Sequence, residues 1–364
     1  MLSDRCRGGA GSCDGGGSLL TLCVEPPIEP MLSRGAADIP IGDEWRYEPK
    51  WDGFRALIFR DGDDVRIISR KQTLLNRYFP ELLPMFREGL PEKAVVDGEI
   101  IVVGDRGLEF ETLQLRLHPA ASRVAKLSLE IPASFVAFDL LCEGDSVVMP
   151  QPMRERRDRL CQSLAEVQSL CITPQTSNPD EARSWFTSFE GAGLDGVIAK
   201  RFEEPYLPGK REWFKIKHQR TADCVVGGYR VAASGDGVGS LLLGLYDSGG
   251  TLHHVGHTSS FSAAERRRLV EQLEPYKGEG GFSGHHRPGG PSRWSQGRDL
   301  TWVALRPELV CEVGFEKLEG DRFRHASRFL RWRSDKRPTD CTYDQLQRPE
   351  HFDLAEVMAL GGRG

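Results

Sequence analysis

The segment Tyr47-Glu48-Pro49-Lys50-Trp51-Asp52-Gly53-Phe54-Arg55 carries the spacing K-x-D-G-x-R. Asp52-Gly53 signals a turn, and the run ALIFR that follows at once reads as a strand. A turn here places Lys50 and Arg55 close together at the mouth of a sheet. A lysine beside a second cation has its pKa pressed down, which frees the amine as a nucleophile near neutral pH. Taken alone, a surface turn with a solvated lysine explains the motif equally well.

Two further segments carry charge where charge needs a partner. Asp97-Gly98-Glu99 interrupts the apolar run AVVDGEIIVV, so a carboxylate sits at the edge of a buried strand and calls for a metal or a hydrogen-bond donor. In Trp213-Phe214-Lys215-Ile216-Lys217, residues two apart share a face of a strand. Lys215 and Lys217 are therefore expected to project together, with Phe214 and Ile216 turned to the core. Two adjacent ammonium groups repel unless an anion lies between or above them, and a phosphate would supply it. The stretch Arg322–Arg337 concentrates Arg322, Arg324, Arg328, Arg331, Arg333, Lys336 and Arg337, a pattern more often a solvated face than a site.

The elements that must position these residues fall into two regions. From about Trp45 to Lys217, strand-like runs (ALIFR, DVRIIS, AVVDGEIIVV, SFVAFDLLC, DGVIAKR) alternate with helical ones (MRERRDRLCQSLAEV, NPDEARSWFTSFEGAG). The second helix should be capped by Asn178, with Pro179 in its first turn and a stop at Gly191 or Gly193. This is a mixed α+β domain, with too much hairpin character for a Rossmann-type array. After Thr221 the pattern turns to β: DCVVGGYRVAA, GSLLLGLYD, a Ser248-Gly249-Gly250 turn, TLHHVGHT, one helix SAAERRRLVEQLEPY, then LVCEVGFEKL and RFLRWRS. Short strands with one helix suit a small OB-type β-barrel. The expected division is an extension 1–26 without fixed structure, a first domain 27–218 and an OB-fold domain 219–364.

Bulk properties bound the rest. The chain has 364 residues, 39% hydrophobic and 28% charged, a length that suits two domains. No apolar run reaches the roughly 18 residues of a membrane span, and the short SLLTLCV followed by PPIEP reads as extension rather than signal peptide. A net charge of −5 does not advertise a nucleic-acid binder, so any such surface must be local. Nine scattered cysteines without a C-x-x-C pair give no zinc spacing and no disulfide framework, which points to a reducing cytoplasm. His253, His254, His257 and the pair His285/His286 lack companion cysteines and read as loop or strand histidines rather than metal ligands. There is no G-x-x-x-x-G-K-[ST] phosphate loop, and GDGVG at Gly235–Gly239 reads as a turn.

K-x-D-G-x-R resembles the first motif of the covalent nucleotidyltransferases, which comprise DNA ligases, RNA ligases and mRNA-capping enzymes. Five further segments resemble the later motifs in order: Ser69-Arg70; Asp97-Gly98-Glu99 with Phe138 after it; Asp195-Gly196-Val-Ile-Ala-Lys200; Trp213–Lys217 with Arg211 upstream; and Arg328–Lys336. Asp195 departs from the family, in which Glu is usual there. It is a shorter carboxylate but still a hard oxygen ligand. Glu48, two residues before Lys50, resembles the acid that contacts the adenine amino group in ATP-using ligases. The motif set, together with GLDGVIAK, FKIKHQRTADCVVGGYR, GSLLLGLY and RFLRWRSDK, is similar to small bacterial ATP-dependent DNA ligases of the ligase C type and to the ligase portion of ligase D.

The resemblance implies an ATP-grasp-like adenylation (nucleotidyltransferase) domain followed by an OB-fold domain, and an enzyme that seals nicked duplex DNA through lysyl-AMP and DNA-adenylate. It assigns Lys50 as the nucleophile, with Asp335 and Lys336 serving chiefly the first step. Glu48, Arg55, Arg70, Glu99, Phe138, Lys200, Arg211, Lys215, Lys217 and Arg333 are implied to bind the nucleotide, and Glu99 and Asp195 to hold Mg²⁺ (or Mn²⁺). Implied too are a monomer in the cytoplasm at the nucleoid and a role in DNA repair. Its partners would be a separate repair polymerase or a DNA-end-binding protein. An RNA-joining or capping-type enzyme, or a non-catalytic nucleic-acid-binding relative, is the alternative.

Overall fold

The computed structural model describes residues 21–105, 107–283, 288, 301–346 and 349–361. The chain divides into two compact units, Met1–Lys215 with Phe352–Gly364, and Ile216–His351. The stretch from Phe352 on thus belongs to the first unit, not to the OB-fold domain that the sequence pattern assigned to 219–364. The reason is packing: Leu354 and Val357 of its helix are buried with Trp185, Phe189 and Leu194, and the Phe352 ring lies 5.1 Å from that of Phe189.

The first unit holds two sheets. One runs β1 (Leu32–Gly35), β9 (Arg211–Ile216), β8 (Val197–Arg201), β2 (Trp45–Pro49); the other follows the order β7 (Leu170–Ile172), β6 (Ser134–Glu143), β5 (Lys93–Ile101), β3 (Phe54–Asp61), β4 (Asp64–Ser69). Alternation along β5 sorts its side chains between two cores. Ala94, Val96 and Ile100 enter the main core with Ile58, Phe86 and Phe135, while Val95 faces a second cluster with Leu57, Phe59, Tyr206 and Trp213. Asp97 and Glu99 share the parity of Val95, so both point to that second side. An apolar run buried on both faces thus carries two carboxylates on one of them. The helix Pro179–Ser188 begins as expected, with Asn178 accepting from Asp180 N at 2.9 Å; a 3₁₀ turn Phe189–Ala192 extends it to Gly193, whose φ of +87° is open to glycine.

Two expectations about the N-terminal segment are corrected. Residues 21–26 are not an unstructured extension: Leu22 and Val24 are buried, and Thr21 N donates to Asp61 at 2.6 Å. Residues 1–20 lie outside the described residues. Cys23 is joined to Cys142 of β6 by a disulfide across a sequence separation of 119, a link made by three-dimensional packing that local cysteine spacing could not announce.

The second unit is an antiparallel sheet in the order β12 (Leu252–Thr258), β11 (Val238–Tyr246), β10 (Arg220–Val231), β13 (Val310–Phe315), β14 (Arg328–Trp332). Its two ends meet where Thr258 bridges Ser327 and Ser327 N donates to His257 O at 2.9 Å, which curls the sheet in the OB manner. The helix Ala263–Leu273 starts on a capping box of Ser262 and Glu265. His285 and His286 and most of the loop 277–298 lie outside the described residues.

His254 on β12 is only 4% exposed. Burial first, then the charges of Arg322 and Arg230 and the nearby His257, outweighing a backbone contact with Gly256, hold its pKa down at about 3. The unfolded chain therefore takes up a proton between pH 6.5 and 3 that the fold refuses, so this contribution to stability is complete above the unfolded pKa and is lost on acidification. The second unit should lose about 1 kcal/mol between pH 7 and 5.5. Amide exchange of β10–β12 at the two pH values measures the loss, and a His254→Asn protein should show a flatter dependence.

Candidate active site

Lys50 and Asp195 face each other where the antiparallel β2/β8 ladder runs out. The ladder ends at Val197 opposite Pro49, and it is extended by Lys50 N to Gly196 O and Asp195 N to Lys50 O, both 2.9 Å. This backbone pairing sets the side chains together, with Lys50 Nζ 2.8 Å from Asp195 Oδ2. Beyond Lys50 the chain turns through Asp52-Gly53 and passes across β5 beside Glu99. A Cβ on Gly53 would overlap the Ile100 carbonyl oxygen and lie 2.9 Å from Glu99 Cγ, so the close crossing demands glycine.

Arg55 stands on β3 directly opposite Glu99 on β5. Its guanidinium is held by Asp97 in a two-pronged pair, Nε to Oδ1 at 3.0 Å and Nη2 to Oδ2 at 2.6 Å. Burial alone would lower the Arg55 pKa, but the Asp97 charge and hydrogen bonds overcome it and raise it. Contrary to the expectation from their spacing, Arg55 does not face Lys50 as a bare cation. Arg55 is neutralised by Asp97, and Lys50 has its own carboxylate in Asp195. Glu99, half-buried, is pushed up to about 7 by burial, against the pull of Lys50 and Arg55 and with the help of Asp52 and Asp97.

The aromatic wall consists of Phe138 on β6 and Trp213 on β9, ring centroids 6.0 Å apart. Arg55 lies over both rings, and Lys200 Nζ sits 5.0 Å and 4.4 Å from them. Lys200 is 1% exposed and Glu48 3%. Lys200 Nζ meets Glu48 Oε2 at 2.8 Å and donates to Phe138 O at 3.0 Å. The second oxygen of Glu48 accepts from Gln175 Nε2 at 2.9 Å. A carboxylate retains further lone pairs for a ligand amine after two such bonds.

Not all the candidates gather here. Arg70 is exposed, next to Arg55 only through its backbone, with N donating to Arg55 O at 3.3 Å. Arg211 donates to Ser33 O at 3.1 Å. Strand β9 ends at Ile216, with Trp213 and Ile216 buried and Phe214 only half-buried against Trp45, 5.0 Å between rings. The expected pairing of Lys215 and Lys217 on one strand face is thus not what the fold builds, because Lys217 lies beyond the strand and its Nζ meets Glu316 at 2.6 Å. In the second unit, Asp223 ties the last motif together. Arg333 Nη1 and Lys336 Nζ both bind it at 2.9 Å, and Arg333 also grips Asp335 at 2.8 Å, which holds the Asp335 carboxyl down at about 2. Most of the basic run is likewise paired, Arg331 with Glu312 and Arg337 with Asp340.

Residues 30–217 match the family model described as ATP dependent DNA ligase domain, and residues 234–336 that described as ATP dependent DNA ligase C terminal region. The chain belongs to the ATP-dependent DNA ligases. DNA ligase C1 of Mycolicibacterium smegmatis is 50% identical over 93% of this ligase and 99% of its own length; DNA ligase C of Mycobacterium tuberculosis is 48% identical over the same shares. A protein of Mycobacterium tuberculosis named multifunctional non-homologous end joining DNA repair protein LigD is 31% identical over 86% of the ligase and 39% of its own length. A solved Lig E DNA ligase has the same fold at a TM-score of 0.51 and 19% identity, covering 83% of this chain and 99% of that one.

Four supporting residues of the ligase were not singled out from sequence: Asp97 as the anchor of Arg55, Tyr206, Gln175 and Asp223. Tyr206, 2% exposed, donates to Asp97 Oδ2 at 2.7 Å and accepts from Met31 N at 2.8 Å. Only Asp97 had a local signal, as a charge in an apolar run; the others reach their partners over more than 100 residues. The tight crossing at Gly53 gives a direct test. Gly53→Ala must push β3 from β5, at about 1–3 kcal/mol in stability, and should slow self-adenylation at least tenfold in a labelling time course.

Proposed function

We propose that this ligase joins nicks in duplex DNA with Lys50 as the residue that carries AMP. The observation that supports this most is the backbone-locked approach of Lys50 and Asp195 beside Glu99, Phe138 and the Glu48–Lys200 pair. In the first step the Lys50 amine, parted from Asp195 and stripped of a proton, forms a P–N bond to the α-phosphorus of ATP as pyrophosphate departs. Arg333, Asp335 and Lys336 serve this step. In the second, the 5′-phosphate of the nick takes AMP from Lys50, with Arg55 and Arg70 steering the strand. In the third, the 3′-hydroxyl displaces AMP and closes the backbone. Phe138 stacks on adenine, Glu48 accepts from its amino group, and Lys200 and Lys215 complete the hold on the nucleotide.

The donors fit Mg²⁺ (or Mn²⁺) as the metal. Among the described residues no three His, Cys, Asp or Glu side chains gather into a protein-only metal cage. Magnesium commonly takes one or two carboxylates and completes its shell with phosphate oxygens and water. Glu99, buried enough to be raised to about 7, and Asp195 are those carboxylates. The bound ion would neutralise charge on the phosphates.

The DNA repair setting of the related LigD supports a repair role, with a separate polymerase or an end-binding protein as partner and the bacterial cytoplasm as location. No described helix is long and apolar enough to cross a membrane. Nicked duplexes offered with ATP or GTP, and with DNA or RNA on the 3′ side, test the reading. Sealing with ATP and a DNA 3′ side supports it; sealing that needs GTP, or RNA on both sides, contradicts it.

A further inference from the structure

Arg322 and Arg230 stand apart in the second unit. Arg331, Arg333, Lys336 and Arg337 of the basic run find carboxylates, but among the described residues none is paired with Arg322 or Arg230. Three strands bring them to a common place with two histidines. Arg230 on β10 pairs with Ser240 on β11, and His257 on β12 pairs with Leu242. A bulge follows, so Leu243 faces Gly256 while Gly244 faces His254, with Val255 as the extra residue. Residues 240, 242 and 244 share one face of β11. The bulge therefore puts His254 and His257, three apart in sequence, on the same face as Arg230. The short hairpin Leu318–Glu319/Arg322–Phe323 carries Arg322 over this face, with Nη2 3.4 Å from His254 Nδ1, and the Phe282 ring walls the other side at 5.2 Å.

Several buried polar atoms at this face lack hydrogen-bond partners. Arginine only donates, so in the tautomer that meets Arg322 the His254 Nδ1 accepts and the proton lies on Nε2. That Nε2 is buried and has no hydrogen-bond partner, and the buried Nε of Arg230 has none either. The Oγ atoms of Thr258 and Ser327, at the adjoining sheet closure, are in the same state. Unmet buried donors beside two guanidinium groups are costly unless an anion enters. We propose that Arg230, His254, His257 and Arg322 form a binding site for a tetrahedral phosphate group. Two sources share that chemistry: free phosphate or pyrophosphate, and the phosphodiester of a nucleic acid.

The test uses histidine ring resonances of the full-length protein. Inorganic phosphate should shift His254 and His257 along a saturable curve. Arg322→Ala and Arg230→Gln should each weaken that curve about tenfold or more, with circular dichroism confirming that each variant is folded. Because Arg322 is exposed, its variant keeps the test open if Arg230→Gln disturbs the sheet. Nicked duplex added to the phosphate-loaded protein then separates the sources. Displacement of phosphate from these histidines identifies a phosphodiester site, and undisturbed phosphate identifies a site for the free ion. Histidine resonances that ignore phosphate, or that respond equally in folded Arg322→Ala protein, overturn the proposal.

Discussion

Lys50→Ala protein should take up no label from ATP carrying a labelled α-phosphate, a loss of at least about 10⁴-fold in self-adenylation. The size follows from the chemistry. Nucleotidyl transfer through the enzyme needs a nitrogen that can form the P–N bond. Of the cations at the site, Arg55 is committed to Asp97 and Lys200 to Glu48, so neither can stand in. Lys50→Arg should fail as completely, since a guanidinium keeps the charge but is no nucleophile. Binding should be damaged far less, because the Phe138–Trp213 wall and Glu48 remain. Both variants should also retain the fold, as the Lys50 side chain is partly exposed at the end of a ladder held by backbone bonds. A variant that seals a pre-adenylated nick while failing to label with ATP would separate the first step from the third.

Asp97→Ala carries the largest expected cost in stability. Asp97 is wholly buried and accepts from Arg55 twice and from Tyr206 once. Removing it strands a guanidinium over Phe138 and Trp213, with its two-pronged partner gone and only the half-buried Glu99 as an acidic neighbour. Breaking one side of a buried pair in this way costs about 3–5 kcal/mol. Melting of the first unit should fall by roughly 10 °C. Asp97→Asn keeps an acceptor oxygen and should fall less. If Asp97→Ala melts like the parent protein, Arg55 has another partner and the account of its positioning is wrong.

The parts of this protein that were legible in the sequence are those fixed by local rules. Short apolar β-like runs located β3, β4, β5 and β6, and Asn178 with Pro179 marked a helix start that the structure reproduces to the residue. What eluded the sequence depends on distant meetings. Lys50 looked like an amine activated by Arg55 because the two are close in the chain, yet the fold supplies each with a carboxylate from a distant segment. Alternation at Lys215 and Lys217 failed because β9 ends one residue too soon. Residues 21–26 read as a loose extension until Leu22, Cys23 and Val24 were seen packed against the core. His253, His254 and His257 read from sequence as loop or strand histidines, and their spacing could not show the bulge that puts His254 and His257 on one face.

The central claim concerns one atom. Protein incubated with α-labelled ATP and Mg²⁺, denatured, digested and analysed by mass spectrometry should carry AMP on Lys50 Nζ, and that label should pass to the 5′ end of a nicked duplex added before denaturation. AMP found on any other residue, or none found on a protein that still seals nicks, would contradict the account.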